Sequence, residues 1–425
     1  MLCLPLVNIA NNGKDVIVFS RYGKELRITK DANFLPYFYE PSAKGLFVTI
    51  DNKKVIKIFC HRPSEVKNKR TENSYEADVL FTKRYIIDKI SEFSPAEVKY
   101  SFMDIEVLTK EMPSYLNPIQ PISCISCSNS YTDEIKTFFL KDYLDPRIVQ
   151  MNYDDVEKQL LNDFVKWMRE QQFDLILGWN FIAFDYLYLT ARYRYVFGAE
   201  LADMLSSINR SRFLSKSKTE AQETLAPAGI SIVDYLDFFK KVYRTESSYA
   251  LDAIAQKYLN ESSLGKFDFS KLTSDIKDKN IIDVKRMMLL DKKLKIVAYY
   301  DEIRRMGKCM WEDLTWYSKV LDVMLLSEAK QKGIVLPSKR YGEEITDEPG
   351  FEGAYRRCET GRFENLWKVD LSGAYPSAII NFCLDISNLT DNINEQRIDI
   401  TDRETNEVKQ SIYVKQNYNA LLPTL

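Results

Sequence analysis

Residues 99–107, KYSFMDIEV, read as a β-strand on which Asp104 and Glu106 share one face while Met103, Ile105 and Val107 take the other. Two carboxylates crowded on one strand face repel each other unless a cation sits between them, so the pair points to a divalent ion. The competing reading is a solvated strand face that binds nothing. Outward from this strand the pattern alternates strands with long helices: PISCISCSN (121–129), then DDVEKQLLNDFVKWMREQ (154–171), FDLILGW (173–179) and FDYLYLTARYRYVF (184–197). That order predicts an α/β domain whose sheet is covered by helices.

On the N-terminal side, residues 1 to about 98 alternate short strands such as DVIVFSRYG (15–23) with polar turns and read as a β-rich module. On the C-terminal side, SKSKTEAQETLAPAG (215–229) is polar and reads as an exposed hairpin or loop. Helical patterning then runs, with breaks, from about Ser248 to about Lys332. The turn-rich segment 337–363 reads as a domain boundary. Beyond it, WKVDLSGAYPSAII (367–380) reads as an apolar strand ending in Asp370, a turn of small residues, and a Tyr-Pro-Ser start to a helix.

Composition narrows the class. A chain of 425 residues predicts two or three domains. Its 59 Lys and Arg against 61 Asp and Glu give no global basic signature, so nucleic-acid binding would have to use local patches. The start has no basic n-region, and no run reaches the roughly 18 apolar residues of a membrane span, which predicts a cytoplasmic protein with no membrane partner. Seven scattered cysteines predict reduced thiols. Cys124 and Cys127 form a C-x-x-C, but residues three apart on a strand face opposite ways, which favours a structural role. The single histidine, His61, nearly excludes histidine-based catalysis.

Two further elements carry acids at informative places. In GWNFIAFD (178–185) a strand turns into a helix bearing Asp185, and strand ends followed by helix starts are where α/β sheets place ligands. Alone, Asp185 is equally a helix N-terminal charge. KNIID (279–283) at the head of a helix is, in isolation, ordinary amphipathic patterning.

Together the three segments resemble the exonuclease motifs of the family B DNA polymerases, D-x-E, N-x-x-x-F-D and Y-x-x-x-D, in that order and at about that spacing. IVDYLDFFKK (232–241), SYALDAIAQKYL (248–259) and NIIDVKRMMLLDKK (280–293) are most similar to the T-even-like bacteriophage type. The resemblance implies α/β and α+β domains: a β-rich N-terminal domain (1–98 plus about 320–361), a ribonuclease H-like exonuclease domain (99–319) and a partial palm (362–425). It also implies that Asp104, Glu106, Asp185 and Asp283 bind two Mg²⁺ or Mn²⁺ ions for 3′→5′ removal of nucleotides from single-stranded DNA. Asn180 and Phe184 would touch that strand. Lys279 departs from the family, standing where its motif has the water-orienting tyrosine; an ammonium among carboxylates is a poor general base.

GFEGAYRRCETGRF (350–363) resembles the family's template-contacting Y-x-G-G loop, with Gly353 and Arg356 as DNA contacts. VDLSGAYPSAII (369–380) resembles its polymerase motif A. There Asp370 and the Leu371 carbonyl would hold the polymerase metals, while Ser372, Gly373, Ala374 and Tyr375 would meet the dNTP. The family's later D-T-D-S motif and basic fingers helix do not occur in these residues. The expectation is therefore a half-built polymerase site, in one subunit of a split enzyme or in a fragment of a longer one, with two ions bound only when a second polypeptide or the missing part supplies fingers, remaining palm and thumb on primer-template DNA. The rival expectations are a stand-alone metal-dependent exonuclease and a non-catalytic DNA-binding scaffold.

Overall fold

The computed structural model describes residues 2–144, 153–214, 224–339, 358–401, 405 and 407–424. These fall into two compact units, one built from residues 1–34 and 88–321, the other from 35–87 and 322–425.

The centre of the first unit is a five-stranded sheet. Its strands are β1 (Tyr100–Val107), β2 (Ile122–Ser128), β3 (Ile135–Phe139), β4 (Leu175–Gly178) and β5 (Ser231–Asp234), in the spatial order β3-β2-β1-β4-β5. β2 is antiparallel to both neighbours, whereas β4 runs parallel to β1 and β5. This is the ribonuclease H-like arrangement expected above, and it puts β1 in the middle of the sheet.

Alternation along β1 decides which residues are core. Met103, Ile105 and Val107 enter one apolar cluster with Ile125 and Cys127 of β2 and with helix α1 (Tyr153–Gln171). From α1 the residues Val156, Leu160, Leu161, Phe164, Val165 and Met168 point into it at helical spacing. Each such side chain contributes about 1.5–3 kcal/mol through burial. The opposite face of β1 carries Asp104 and Glu106, opposed by Ser126 and Cys124 of β2. Cys124 and Cys127 are free, buried and on opposite faces of the strand, the alternation expected from their spacing.

A buried ion pair ties the layers together. Glu157 of α1 accepts from the Ile122 amide (2.7 Å) and from Arg192 of α2 (Asp185–Phe197) through both carboxylate oxygens. Arg192 also donates to the Pro118 and Ile119 carbonyls at 3.0 Å each. Arg21, on the N-terminal strand Val16–Tyr22, forks onto Asp174 (2.5 and 2.8 Å), just before β4, and the Lys99 amide donates to the same carboxylate.

The second unit contains a four-stranded sheet (Tyr37–Pro41, Phe47–Thr49, Lys54–Phe59 and Ile334–Val335) and a three-stranded one (Leu389–Thr390, Gln396–Thr401 and Val408–Val414). A helix spans Ala374–Asn381, preceded by Gly373 at φ +66°. The strand expected before Asp370 does not form: residues 366–371 carry no strand, and Trp367 is 90% exposed. A strand needs a hydrogen-bonding neighbour, and the adjacent three-stranded sheet pairs only within itself. No helix among the described residues is long and apolar enough to cross a membrane.

Candidate active site

Three elements converge on the polar face of β1. The strand itself presents Asp104 and Glu106. The turn after β4 brings in Asp185 as the first residue of α2. Gly178 makes that turn possible, because a Cβ there would lie 2.6 Å from the Met103 carbonyl oxygen and 2.5 Å from the Phe181 ring. Asn180 follows in the left-handed region (φ +58°), its amide donating to Asp234 at 3.0 Å. The third element, helix α3 (Ser274–Leu294), carries Lys279, Asn280 and Asp283 on the face it turns to β1. Lys279 lies one turn inside this helix rather than at its head. The far end of α3 is anchored where Asp291 accepts from the hydroxyls of Tyr100 and Tyr235 and from the Val297 amide.

Asp104, Glu106 and Asp283 each offer an oxygen, and these oxygens lie within 4.8 Å of one another. Asp185 stands beside this trio, accepting from the Ile105 amide at 3.1 Å, between the two acids of β1. Lys279 Nζ reaches Glu106 Oε1 at 2.6 Å and Asp283 Oδ2 at 2.8 Å. The solvent-facing reading of this lysine does not hold, since its side chain is 21% exposed and pinned between two acids.

Two contributing residues escaped sequence reasoning. Asn280, fully buried, donates through Nδ2 to Asp104 Oδ2 at 2.7 Å. Arg286, also buried, approaches Asp283 at 3.4 Å and holds Glu261, Asp252 and the Ser262 carbonyl. Their helical spacing from Asp283, i−3 and i+3, was the available signal.

The electrostatics describe a site short of positive charge. Burial first, then the neighbouring charges of Asp185 and Glu106, push Asp104 well above the usual carboxylate range. Burial does the same to Asp185 despite its amide donor. Glu106 is raised by burial against the opposing pull of Lys279. The ammonium of Lys279 is desolvated, yet Glu106, Asp104 and Asp283 hold it more firmly protonated than an ordinary lysine. Four carboxylates around one ammonium fit a hard divalent cation with oxygen ligands. Asn280 Oδ1, buried without a hydrogen-bond partner among the described residues, marks the same place as unfinished, because an unmade buried acceptor costs about 1–3 kcal/mol.

Asn180 is exposed and Phe184 half-buried at the rim beside Asp185, Phe184 stacking on Tyr188 at 6.3 Å. Asp370, Leu371, Ser372, Gly373, Ala374 and Tyr375 lie in the second unit, on an exposed stretch and the start of its helix. Gly353 and Arg356 lie outside the described residues.

Comparison with known proteins places this geometry. Residues 48–254 match the family described as DNA polymerase family B, exonuclease domain. That match includes Asp104, Glu106 and Asp185 and stops short of Lys279 and Asp283. The chain is 27% identical over 241 residues to the DNA-directed DNA polymerase of Escherichia phage RB69, covering 55% of this chain and 26% of that one. It is 25% identical over 435 residues to the DNA polymerase of Thermococcus gorgonarius, covering 88% and 53%. The chain thus spans between a quarter and about half of these relatives. Its fold is similar to that of the family B DNA polymerase from the archaeon Pyrobaculum calidifontis, with a TM-score of 0.69 at 15% identity, over 98% of this chain and 61% of the other. The carboxylates of β1 and α2 therefore lie within the stretch that matches the family B polymerase exonuclease domain, in a chain similar at low identity to the phage and archaeal polymerases.

Proposed function

We propose that this chain is a metal-dependent 3′→5′ exonuclease acting on single-stranded DNA, the proofreading part of a family B DNA polymerase nearest the T-even-like phage type. The observation that carries the proposal is the convergence of Asp104, Glu106 and Asp283, with Asp185 beside them, from two strand positions and two helices. Mg²⁺ or Mn²⁺ held by these four carboxylates would supply Lewis acidity at the scissile phosphate, and the family resemblance implies two such ions.

The chain's own groups do the rest. Asn280 fixes the rotamer of Asp104, and the Ile105 amide fixes that of Asp185. Lys279, held protonated, cannot accept the proton of the attacking water and acts as a positive donor facing the acids. Asn180 and Phe184 lie at the rim, where the 3′ end of a strand would enter. In the reaction a water oxygen bonds to phosphorus as the P–O3′ bond breaks, giving a nucleoside monophosphate and a shortened 3′-hydroxyl end.

The resemblance extends the proposal to a β-rich domain at 1–98 plus about 320–361, an exonuclease domain at 99–319 and a partial palm from 362. There Asp370 and the Leu371 carbonyl would serve polymerase metals, Ser372 to Tyr375 a dNTP, and Gly353 and Arg356 the template. Phosphoryl transfer also requires a second carboxylate and a basic helix, which further residues of the same chain or a second polypeptide would bring. The decisive experiment is degradation of a 5′-labelled single-stranded oligonucleotide in Mg²⁺. Loss of that activity in the Asp104→Ala/Glu106→Ala double variant supports the proposal, and unchanged degradation defeats it. Primer extension by this chain alone would refute the need for a partner.

A further inference from the structure

We infer that the ammonium of Lys279 occupies the place of one of the two metal ions, so that this site takes a single divalent cation. The inference rests on the exonuclease reading above and concerns how its charge is supplied.

Positive side chains are unevenly distributed around the four acids. Lys279 Nζ bridges Glu106 Oε1 and Asp283 Oδ2, at 2.6 and 2.8 Å, joining a strand carboxylate to a helix carboxylate as a shared ion would. The other oxygen of Asp283 faces Arg286 at 3.4 Å. Asp104 and Asp185, by contrast, meet only neutral donors among the described residues: the Asn280 amide at 2.7 Å and the Ile105 backbone amide at 3.1 Å. The chain thus puts its ammonium in direct contact with the Glu106–Asp283 half, while the Asp104–Asp185 half feels that charge only from beyond ion-pair distance.

Lys279 is not poised to leave. Its ammonium also lies 5.7 Å from the Phe269 ring, and swinging it out would strip Glu106 and Asp283 of their partner at side-chain exposures of 9% and 12%. A second divalent ion bridging those two acids would have to settle in contact with a fixed positive charge, which weakens its binding by about a hundredfold or more. One ion held chiefly by Asp104 and Asp185 stays out of direct contact with that charge.

Equilibrium binding of Mn²⁺ to the full chain without DNA, with free ion followed by electron paramagnetic resonance, tests this. The wild type should bind one Mn²⁺ tightly and a second at least about a hundredfold more weakly. Lys279→Met, which keeps the length and removes the charge, and Lys279→Tyr should each bind two. Circular dichroism melting checks that each variant is folded, and either one alone suffices. Two tight Mn²⁺ ions in the wild type, or one in the folded variants, overturns the inference. If two tight ions accompany DNA hydrolysis, only the role of Lys279 falls. No Mn²⁺ and no hydrolysis would bring down the exonuclease reading with it.

Discussion

Replacing Arg192 by methionine should destabilise the first unit by about 3–5 kcal/mol at pH 8, the cost of leaving a buried charge without its partner. The side chains of Arg192 and Glu157 are both fully buried. Losing the guanidinium leaves Glu157, among the described residues, with only the Ile122 amide and strips the Pro118 and Ile119 carbonyls of a donor. Burial already raises Glu157, while Arg192 pulls it down. Without Arg192 its folded value climbs further above the unfolded one. A carboxyl with a raised folded pKa contributes stability below its unfolded pKa and loses it as pH rises through the folded value. The penalty should therefore shrink towards about 1–2 kcal/mol at pH 5, the cost of the unmade hydrogen bonds alone. Adding Glu157→Gln removes the stranded charge and keeps an acceptor for Ile122, so the double variant should recover most of the loss at pH 8. Urea unfolding followed by tryptophan fluorescence reads this, with Trp167 on α1 as a nearby reporter. Equal losses for the single and double variants, or a penalty independent of pH, would refute the reasoning.

Gly178→Ala should lower hydrolysis at least about tenfold, since its Cβ drives against the Met103 carbonyl and shifts the turn that delivers Asp185; a small misplacement is costly in catalysis. An unchanged rate would show the turn can absorb it. Asp234, capping the helix after β5, is pushed up to about 7 by burial and by Asp237. Its contribution is present below the unfolded pKa and lost as pH rises through about 7, by at most ~4 kcal/mol. Asp234→Asn should flatten that part of the stability-pH curve, and identical wild-type and variant curves would contradict it. Saturating Mg²⁺ should raise the melting temperature of the wild type, at about 2.7 kcal/mol for a hundredfold excess over Kd. Asp104→Asn/Asp283→Asn should abolish that rise, and a shift that persists places the ion elsewhere.

The sheet and its acids were legible because their signals are local. The two-residue repeat of KYSFMDIEV separates Asp104 and Glu106 from Met103 and Ile105, and the helical spacing from Val156 to Met168 fixes the buried face of α1. Asp283 was legible only through resemblance, because KNIID by itself is one of many amphipathic patterns. Asn280 and Arg286 stayed hidden, since what they do depends on Asp104, Asp252 and Glu261 in distant segments. The Arg21–Asp174 fork was equally unreadable, joining residues 153 apart. The strand expected before Asp370 was misread for the converse reason: its apolar pattern is local, but a strand exists only where a neighbour accepts its hydrogen bonds.

Helix α3 ends at Leu294, so the fourth acid and the lysine reach the sheet only after nearly all of the first unit has been synthesised. A nascent chain ending at residue 272 already contains β1 and α2, and it would hold Asp104, Glu106 and Asp185 without Asp283, Lys279 or the Asn280 clamp on Asp104. On the exonuclease reading, the four carboxylates come together only once residue 283 has been added. A chain stopped before α3 would hold three of the four carboxylates and, on that reading, an incomplete metal site.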